Sequence, residues 1–156
     1  METGGSPDPS GYLARVRRPD VLAATGSAVL AGVGGLHVLW GLGAAWPAPD
    51  RARLAELVAG TDQVPESAAC FVVGGGLAAA GALVAGAGGQ RWPVRLARAG
   101  IAAGLLVRGL TGVTGQTRLL VPWTPSAEFQ RLDRRRYGPF CLALGASIAA
   151  SLRSHT

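Results

Sequence analysis

The amino-acid sequence predicts an all-α fold, a four-helix transmembrane bundle, and three observations support this prediction. Hydrophobic residues make up 49% of the 156-residue chain and charged residues only 15%, whereas about a quarter of a soluble domain is charged. Long apolar stretches recur along the chain and are separated by shorter polar segments. The arginines stand mainly between those stretches, which is typical of membrane anchoring. We therefore expect a multi-pass protein of the cell membrane.

The first predicted span covers 21–46 and is preceded by a polar tail, 1–19. Gly, Pro and polar residues dominate the start of this tail, so we expect it to be disordered. The apolar stretch is longer than the roughly 7–15 residues of a signal-peptide core. A helix of this length extends about 39 Å and can cross a hydrocarbon core of roughly 30 Å with tilt. Trp46-Pro47 ends it, and the membrane domain is placed at 20–153.

Loop 1, 47–65, leads to the second and third spans. It contains RARLAELVAG, a candidate short helix at the membrane interface. The second span is predicted at 66–87 and the third at 94–121, with a short Gly-rich turn between them. The Pro122-Trp123 pair closes the third span.

Loop 3, 124–136, and the fourth span complete the predicted bundle. The loop ends in the basic run RLDRRR. The span covers 137–152, and Pro139 lies in its first turn, where proline is tolerated. At about 16 residues this span is short.

Small residues recur every fourth position in the second and third spans. Such stripes let helix backbones approach closely where no hydrophobic effect drives association. We expect them to pack helices within the chain, although a homodimer face fits the same pattern. The residues are Gly74, Ala78, Ala82 and Gly86, then Gly100, Gly104 and Gly112.

The charge balance argues against nucleic-acid binding and leaves the orientation open. The net charge is +6, all 15 basic residues are arginine, and no nucleic-acid motif accompanies them. The arginine bias, with abundant Ala and Gly, is typical of a GC-rich genome and suggests an actinobacterial source. Seven arginines fall on each side of the predicted bundle, so the positive-inside rule does not choose between the two orientations.

Unusual polar residues gather at one end of the predicted bundle. Four spans place loops 1 and 3 on the same side, and that end carries His37, Glu66, Arg108, Asp133 and Tyr137. An arginine within a span is costly without a partner, and Asp133, Glu66 and Tyr137 are candidates for Arg108. A structural network and a functional pocket both fit this pattern.

The two cysteines and the two histidines could take part in redox chemistry or metal binding. Cys70 and Cys141 belong to no C-x-x-C pair, so they are either small buried side chains or a redox pair. We predict no metal site and no cofactor, because His155 lies in the C-terminal tail and His37 has no second histidine nearby.

Two stretches resemble a known family. LHVLWGLGAAWP contains H-x-x-W-G-x-G, and FQRLDRRRYGPFCLALG contains L-D-x-x-x-Y-x-P-x-C. Both resemble the signature regions of a bacterial family of small four-span integral membrane proteins that carry a domain of unknown function. This resemblance implies four helices and no assigned activity. In size and span number the chain is also similar to small actinobacterial membrane terpene cyclases, a likeness of architecture alone.

Two functions follow as hypotheses. In the first, the chain is an enzyme that cyclises or isomerises a lipophilic, isoprenoid-like substrate. Asp133 or Glu66 then donates the proton from a buried carboxyl group, and His37 orients this acid or takes the final proton. The aromatic faces of Trp40, Tyr137 and Phe140 stabilise the cation, and Trp46 and Arg108 complete the predicted substrate-binding residues. In the second, the chain is a non-catalytic assembly or lipid-binding subunit.

Overall fold

The computed structural model describes residues 21–153, and within them every regular element is helical. The all-α prediction is confirmed. The predicted tail 1–19 lies outside the described residues. The helices are α1 (Val21–Gly41), α2 (Arg51–Ala59), α3 (Ser67–Ala85), α4 (Trp92–Thr114), α5 (Ala127–Leu132) and α6 (Gly138–Arg153), with a 3-10 turn at Thr117–Leu119 and a π turn at Asp133–Tyr137.

Three of these helices are long and apolar enough to cross a membrane: α1, α3 and α4. Each keeps most of its side chains unburied, with 17–22% of its most apolar stretch buried inside the protein. A helix that is apolar yet mostly uncovered is suited to lipid rather than to water. α6 has 16 residues, about 24 Å of helix. The fourth crossing therefore stays a prediction.

The long helices pack as two pairs, α1 with α3 and α4 with α6. The pairs meet through further contacts of α1 with α6 and of α3 with α4. The apolar core lies at this junction, and each of the four helices contributes to it. Its buried members are Leu30, Val84, Ala102, Leu144 and Ile148.

Glycine allows α1 and α3 to touch along their backbones. A Cβ built on Gly34 would lie 2.9 Å from the Gly74 carbonyl oxygen, and one on Gly74 would lie 2.9 Å from the Gly34 carbonyl oxygen. Further along the contact, a Cβ on Gly81 would come within 3.1 Å of the Ser27 carbonyl oxygen. The small-residue prediction for the second span is therefore correct for Gly74 and wrong for Ala82 and Gly86, which are exposed.

The stripe predicted for α4 is wrong in its first half. Gly100 and Gly104 have open space where a Cβ would be, whereas Gly109 and Gly112 pack against α6 or its N-terminal end. A row of residues spaced by four drifts by about 40° per step around a helix of 3.6 residues per turn. Gly100 and Gly112 therefore point in different directions.

Two helices end before the predicted spans do, because glycines stop them. α1 ends at Gly41 rather than at Trp46, and Gly43 follows with a φ of 101°. α4 ends at Thr114 rather than at 121, and Gly115 follows with a φ of 73°. Positive φ is accessible to glycine without steric cost, and it ends helices in this way.

Candidate functional site

The segment that leads into α6 turns Asp133 and Tyr137 towards the protein. α5, the π turn and α6 follow one another without a break. Pro139 has no N–H to donate to the carbonyl four residues earlier. The neighbouring Gly138 N–H bonds instead to the carbonyl of Asp133, five residues back, as in a π turn. Asp133 is buried and Tyr137 half-buried, while the three arginines between them are exposed.

Arg108, Asp133 and Thr117 form a hydrogen-bonded cluster between α4 and the π turn. The Arg108 guanidinium donates from Nη1 to Asp133 Oδ2 at 3.1 Å and from Nη2 to Oδ1 at 2.8 Å. The Thr117 hydroxyl also donates to Oδ2. Asp133 is 0% exposed, so protein atoms enclose its carboxylate on all sides. The prediction that Arg108 has a partner is confirmed, and Asp133 is that partner.

Glycine makes room for this cluster. A Cβ on Gly112 would lie 2.8 Å from Asp133 Oδ1 and 3.0 Å from Arg108 Nη1. A Cβ on Gly138 would lie 2.8 Å from the Val113 backbone nitrogen. α4 and the start of α6 therefore approach more closely than larger side chains would allow, and this close approach lets Arg108 reach Asp133.

Loops 1 and 3 meet at the same end of the bundle, as predicted, and form a packed cap over it. Arg53 of α2 donates to Glu128 of α5 through both terminal nitrogens, at 2.9 and 2.7 Å, and to Glu56 at 2.6 Å. The Trp123 indole donates to the Ala59 carbonyl at 2.9 Å. The Tyr137 hydroxyl donates to the carbonyl of Leu57 at 3.2 Å, which connects the cap to the π turn.

The charges of the cap shift two pKa values. The hydrogen bonds from Arg53, followed by its Coulombic attraction and that of Arg131, lower the pKa of the Glu128 carboxyl group against the opposing effect of burial. Glu128 and Glu56 in turn raise the pKa of Arg53 above its ordinary value. Both groups are therefore ionised at neutral pH, and the link between α2 and α5 is a full ion pair.

His37 and Trp40 lie together, and each makes a hydrogen bond within α1 or the turn after it. His37 Nδ1 donates to the Val33 carbonyl, one helical turn earlier, at 2.9 Å. The rings of His37 and Trp40 are 4.8 Å apart between centroids. The Trp40 indole donates to the carbonyl of Trp46 at 2.8 Å and closes the end of α1. These contacts stabilise the helix end and involve no acid.

Glu66, Trp46 and Phe140 do not join the buried cluster. Glu66 is exposed and precedes the first residue of α3, and its side chain makes no capping hydrogen bond. Glu66 therefore stays outside the buried cluster although it lies at the same end of the bundle, and its role as an acid stays a prediction. The Trp46 side chain is 67% exposed and Phe140 48%, as expected for membrane-facing rather than pocket-lining rings.

The cavity beside Trp40 is small. Its walls include Trp40, Leu54 and Cys70, and its volume is about 20 Å³. That is room for about one water molecule, whereas ligand pockets hold roughly 300–1,000 Å³. A wider concavity of about 440 Å³ lies on the surface at α5 and the π turn, where arginines dominate its walls.

Three contributors were missed from the sequence. Thr117 lies inside the predicted third span and Glu128 in loop 3, and neither carries a motif. Ser126, which caps α5 by accepting from the Phe129 N–H at 3.2 Å, was a usable helix-start signal near Glu128. Arg98 was counted as a loop-side arginine but is buried: it donates to the carbonyls of Leu83 at 2.6 Å and Gly89 at 3.2 Å.

The described part of the chain contains neither a disulfide bond nor a set of side chains that could bind a metal ion. Cys70 and Cys141 are both free thiols, the first buried and the second half-buried. Among residues 21–153, no three His, Cys, Asp or Glu side chains come together as a set that could hold a metal ion.

Comparison with known proteins provides a family. A family model described as "Protein of unknown function (DUF3995)" matches residues 30–148. The chain belongs to the DUF3995 family. The match covers both stretches that carry the resemblance, so the predicted membership of a family with a domain of unknown function is confirmed. No curated protein and no solved structure matches the chain. The likeness of this DUF3995 chain to terpene cyclases stays a prediction.

Proposed function

We propose that this chain is a non-catalytic integral membrane subunit, which acts by binding other membrane components rather than by turning over a substrate. The observation that carries the proposal is the enclosure of Asp133, which accepts hydrogen bonds from Arg108 and Thr117 and is 0% exposed. A general acid must reach its substrate with a proton to donate. A carboxylate that already accepts hydrogen bonds on both oxygens serves instead to hold α4 to the start of α6.

The other candidate acid supports the same conclusion. Glu66 is exposed and lies outside α3, away from the buried cluster. The volume of about 20 Å³ beside Trp40 is far below the size of an isoprenoid chain. The aromatic residues proposed to stabilise a cation, Trp40, Tyr137 and Phe140, are spread over α1, the π turn and α6. Phe140 is exposed, as is Trp46.

The test compares turnover with stability in two carboxylate variants. Asp133→Asn and Glu66→Gln proteins are reconstituted in liposomes beside the wild type and incubated with polyprenyl substrates. We expect no conversion above empty liposomes in any sample. We also expect Asp133→Asn alone to lower the thermal unfolding midpoint, because it leaves Arg108 without its counter-charge.

One result would overturn the proposal. If the wild type converts a polyprenyl substrate and Asp133→Asn removes the conversion while its helical content and unfolding midpoint stay at the wild-type values, Asp133 acts as an acid. Glu66→Gln serves as the matched control, since it removes a carboxylate at the same end of the bundle without touching the buried cluster.

A further inference from the structure

Five exposed arginines at the loop end of the bundle have no carboxylate of a described residue within 4 Å. At this end Arg53 and Arg108 pair with carboxylates within 4 Å, and Arg51 is partly buried. The five that remain at this end are exposed. They are Arg118, Arg131, Arg134, Arg135 and Arg136.

Three of these arginines form a concave surface, which we call the arginine cradle. Arg131, Arg134 and Arg135, together with Ala127 and Gln130, line a concavity of about 440 Å³ on the outside of α5 and the π turn. Among the residues that the structure describes, no acidic side chain lines it. The Gln130 side chain is fixed, because its amide donates to the Pro125 carbonyl at 2.9 Å. The walls therefore offer guanidinium groups on a folded helical frame.

The cradle lies at the level where an apolar helix ends. The Arg134 guanidinium lies directly against Gly115, the residue that follows α4, and α4 is one of the three helices suited to cross a membrane. On the α6 side, Phe140 follows the arginines closely and is 48% exposed. An exposed aromatic ring next to cations is typical of the boundary between acyl chains and headgroups.

We propose that the arginine cradle binds the phosphate headgroup of an anionic phospholipid. Arginine forks pair with phosphate oxygens through parallel hydrogen bonds, and basic clusters at the membrane boundary attract anionic lipids. The occupant is a lipid rather than a free phosphate ion, because α4, which ends beside Arg134, and the start of α6 carry exposed apolar side chains, among them Val107, Leu110 and Phe140. This inference rests on the proposed function only for placing the chain in a bilayer.

The test measures lipid retained by purified protein. Wild-type protein and the Arg131→Gln/Arg135→Gln variant are solubilised in mild detergent with phosphatidylglycerol or phosphatidylcholine, and the bound lipid is counted by native mass spectrometry. Arg134 is left in place because it packs on Gly115. We expect selective retention of phosphatidylglycerol by the wild type, weakened on the order of 10-fold or more in the variant, from about 5-fold per arginine.

The matched control is Arg91→Gln/Arg95→Gln, which removes the same charge from the opposite end, where both residues are exposed. We expect it to retain phosphatidylglycerol as the wild type does. The proposal would be overturned if the two variants lost equal amounts of bound phosphatidylglycerol, or if the wild type retained phosphatidylglycerol and phosphatidylcholine equally. Competition by glycerol phosphate as strong as that by the lipid would assign the site to a free phosphate and also overturn it. None of these outcomes bears on polyprenyl turnover, so the two proposals fail separately.

Discussion

Arg108 and Asp133 hold α4 to the beginning of α6 through two hydrogen bonds, of 3.1 and 2.8 Å, between residues 25 positions apart. The Asp133 side chain is 1% exposed and that of Arg108 30%. The carboxylate thus depends on the arginine for its counter-charge, while the arginine retains some access to its surroundings. Breaking a buried pair from one side leaves an uncompensated charge, which is more costly than removing both partners.

A double-mutant cycle tests this dependence. Asp133→Asn and Arg108→Gln each remove one charge, and we expect each to lower the free energy of unfolding by about 3 kcal/mol. The double variant leaves two neutral amides that can bond to each other, so its loss should be smaller than the sum by about 0.5–3 kcal/mol. Unfolding is followed by circular dichroism in mild detergent. Strictly additive losses would contradict the pairing.

Neighbouring glycines of α1 offer a matched test of the α1–α3 contact. Gly34→Ala places a Cβ 2.9 Å from the Gly74 carbonyl oxygen, whereas Gly35 has nothing within 4 Å. We expect Gly34→Ala to cost about 1–3 kcal/mol of stability through overpacking. Gly35→Ala should be neutral or stabilising by up to about 1 kcal/mol, because alanine favours helix. Equal midpoints for the two variants would show that the helices do not touch at Gly34.

Acid should loosen the cap formed by α2 and α5. Arg53 lowers the pKa of Glu128 in the folded protein, so the stabilisation is complete above the unfolded value of about 4.3 and is lost as pH falls through the lower folded value. Hydrogen exchange of α2 and α5 amides between pH 7 and 3 measures this loss. In Glu128→Gln the exchange should already be faster at pH 7, and its remaining pH dependence should be smaller. A parallel pH profile in both proteins would exclude the ion pair as the cause.

The buried arginine of α4 should matter more than its exposed neighbour. Arg98 donates to the Leu83 and Gly89 carbonyls at the C-terminal end of α3 and in the following turn, where a cation is favourable. We expect Arg98→Gln to lower the free energy of unfolding by about 1–3 kcal/mol. Arg95→Gln removes the same charge from an exposed site and should stay within about 0.5 kcal/mol of the wild type. Thermal unfolding of both variants distinguishes these outcomes.

Much of the fold was predictable because its signals are local. Hydropathy along the chain located α1, α3 and α4, and the run from Arg51 was correctly predicted as a short helix. The ends of α1 and α4 were placed too late, because glycines at positive φ stop the helices inside apolar sequence. The hydropathy of the sequence does not change at such a glycine, so hydropathy alone does not locate the end of the helix.

The candidate site was only partly predictable. The cost of an unpaired arginine in a span indicated that Arg108 has a partner, and the sequence offered three candidates for it. The choice of Asp133 depends on the π turn beside Pro139, which turns the carboxylate towards α4. The sequence also placed loops 1 and 3 at one end, but the Arg53–Glu128 pair joins residues 75 positions apart, beyond the reach of any local pattern.

The sequence by itself determined an all-α chain with membrane-length helices and with its polar residues gathered at one end, since these properties depend on composition and on the order of elements. The tertiary structure decided which polar residues meet. It enclosed Asp133, left Glu66 exposed and exposed the arginines between Asp133 and Tyr137. These outcomes depend on how each helix is rotated about its axis, and packing between distant segments sets that rotation.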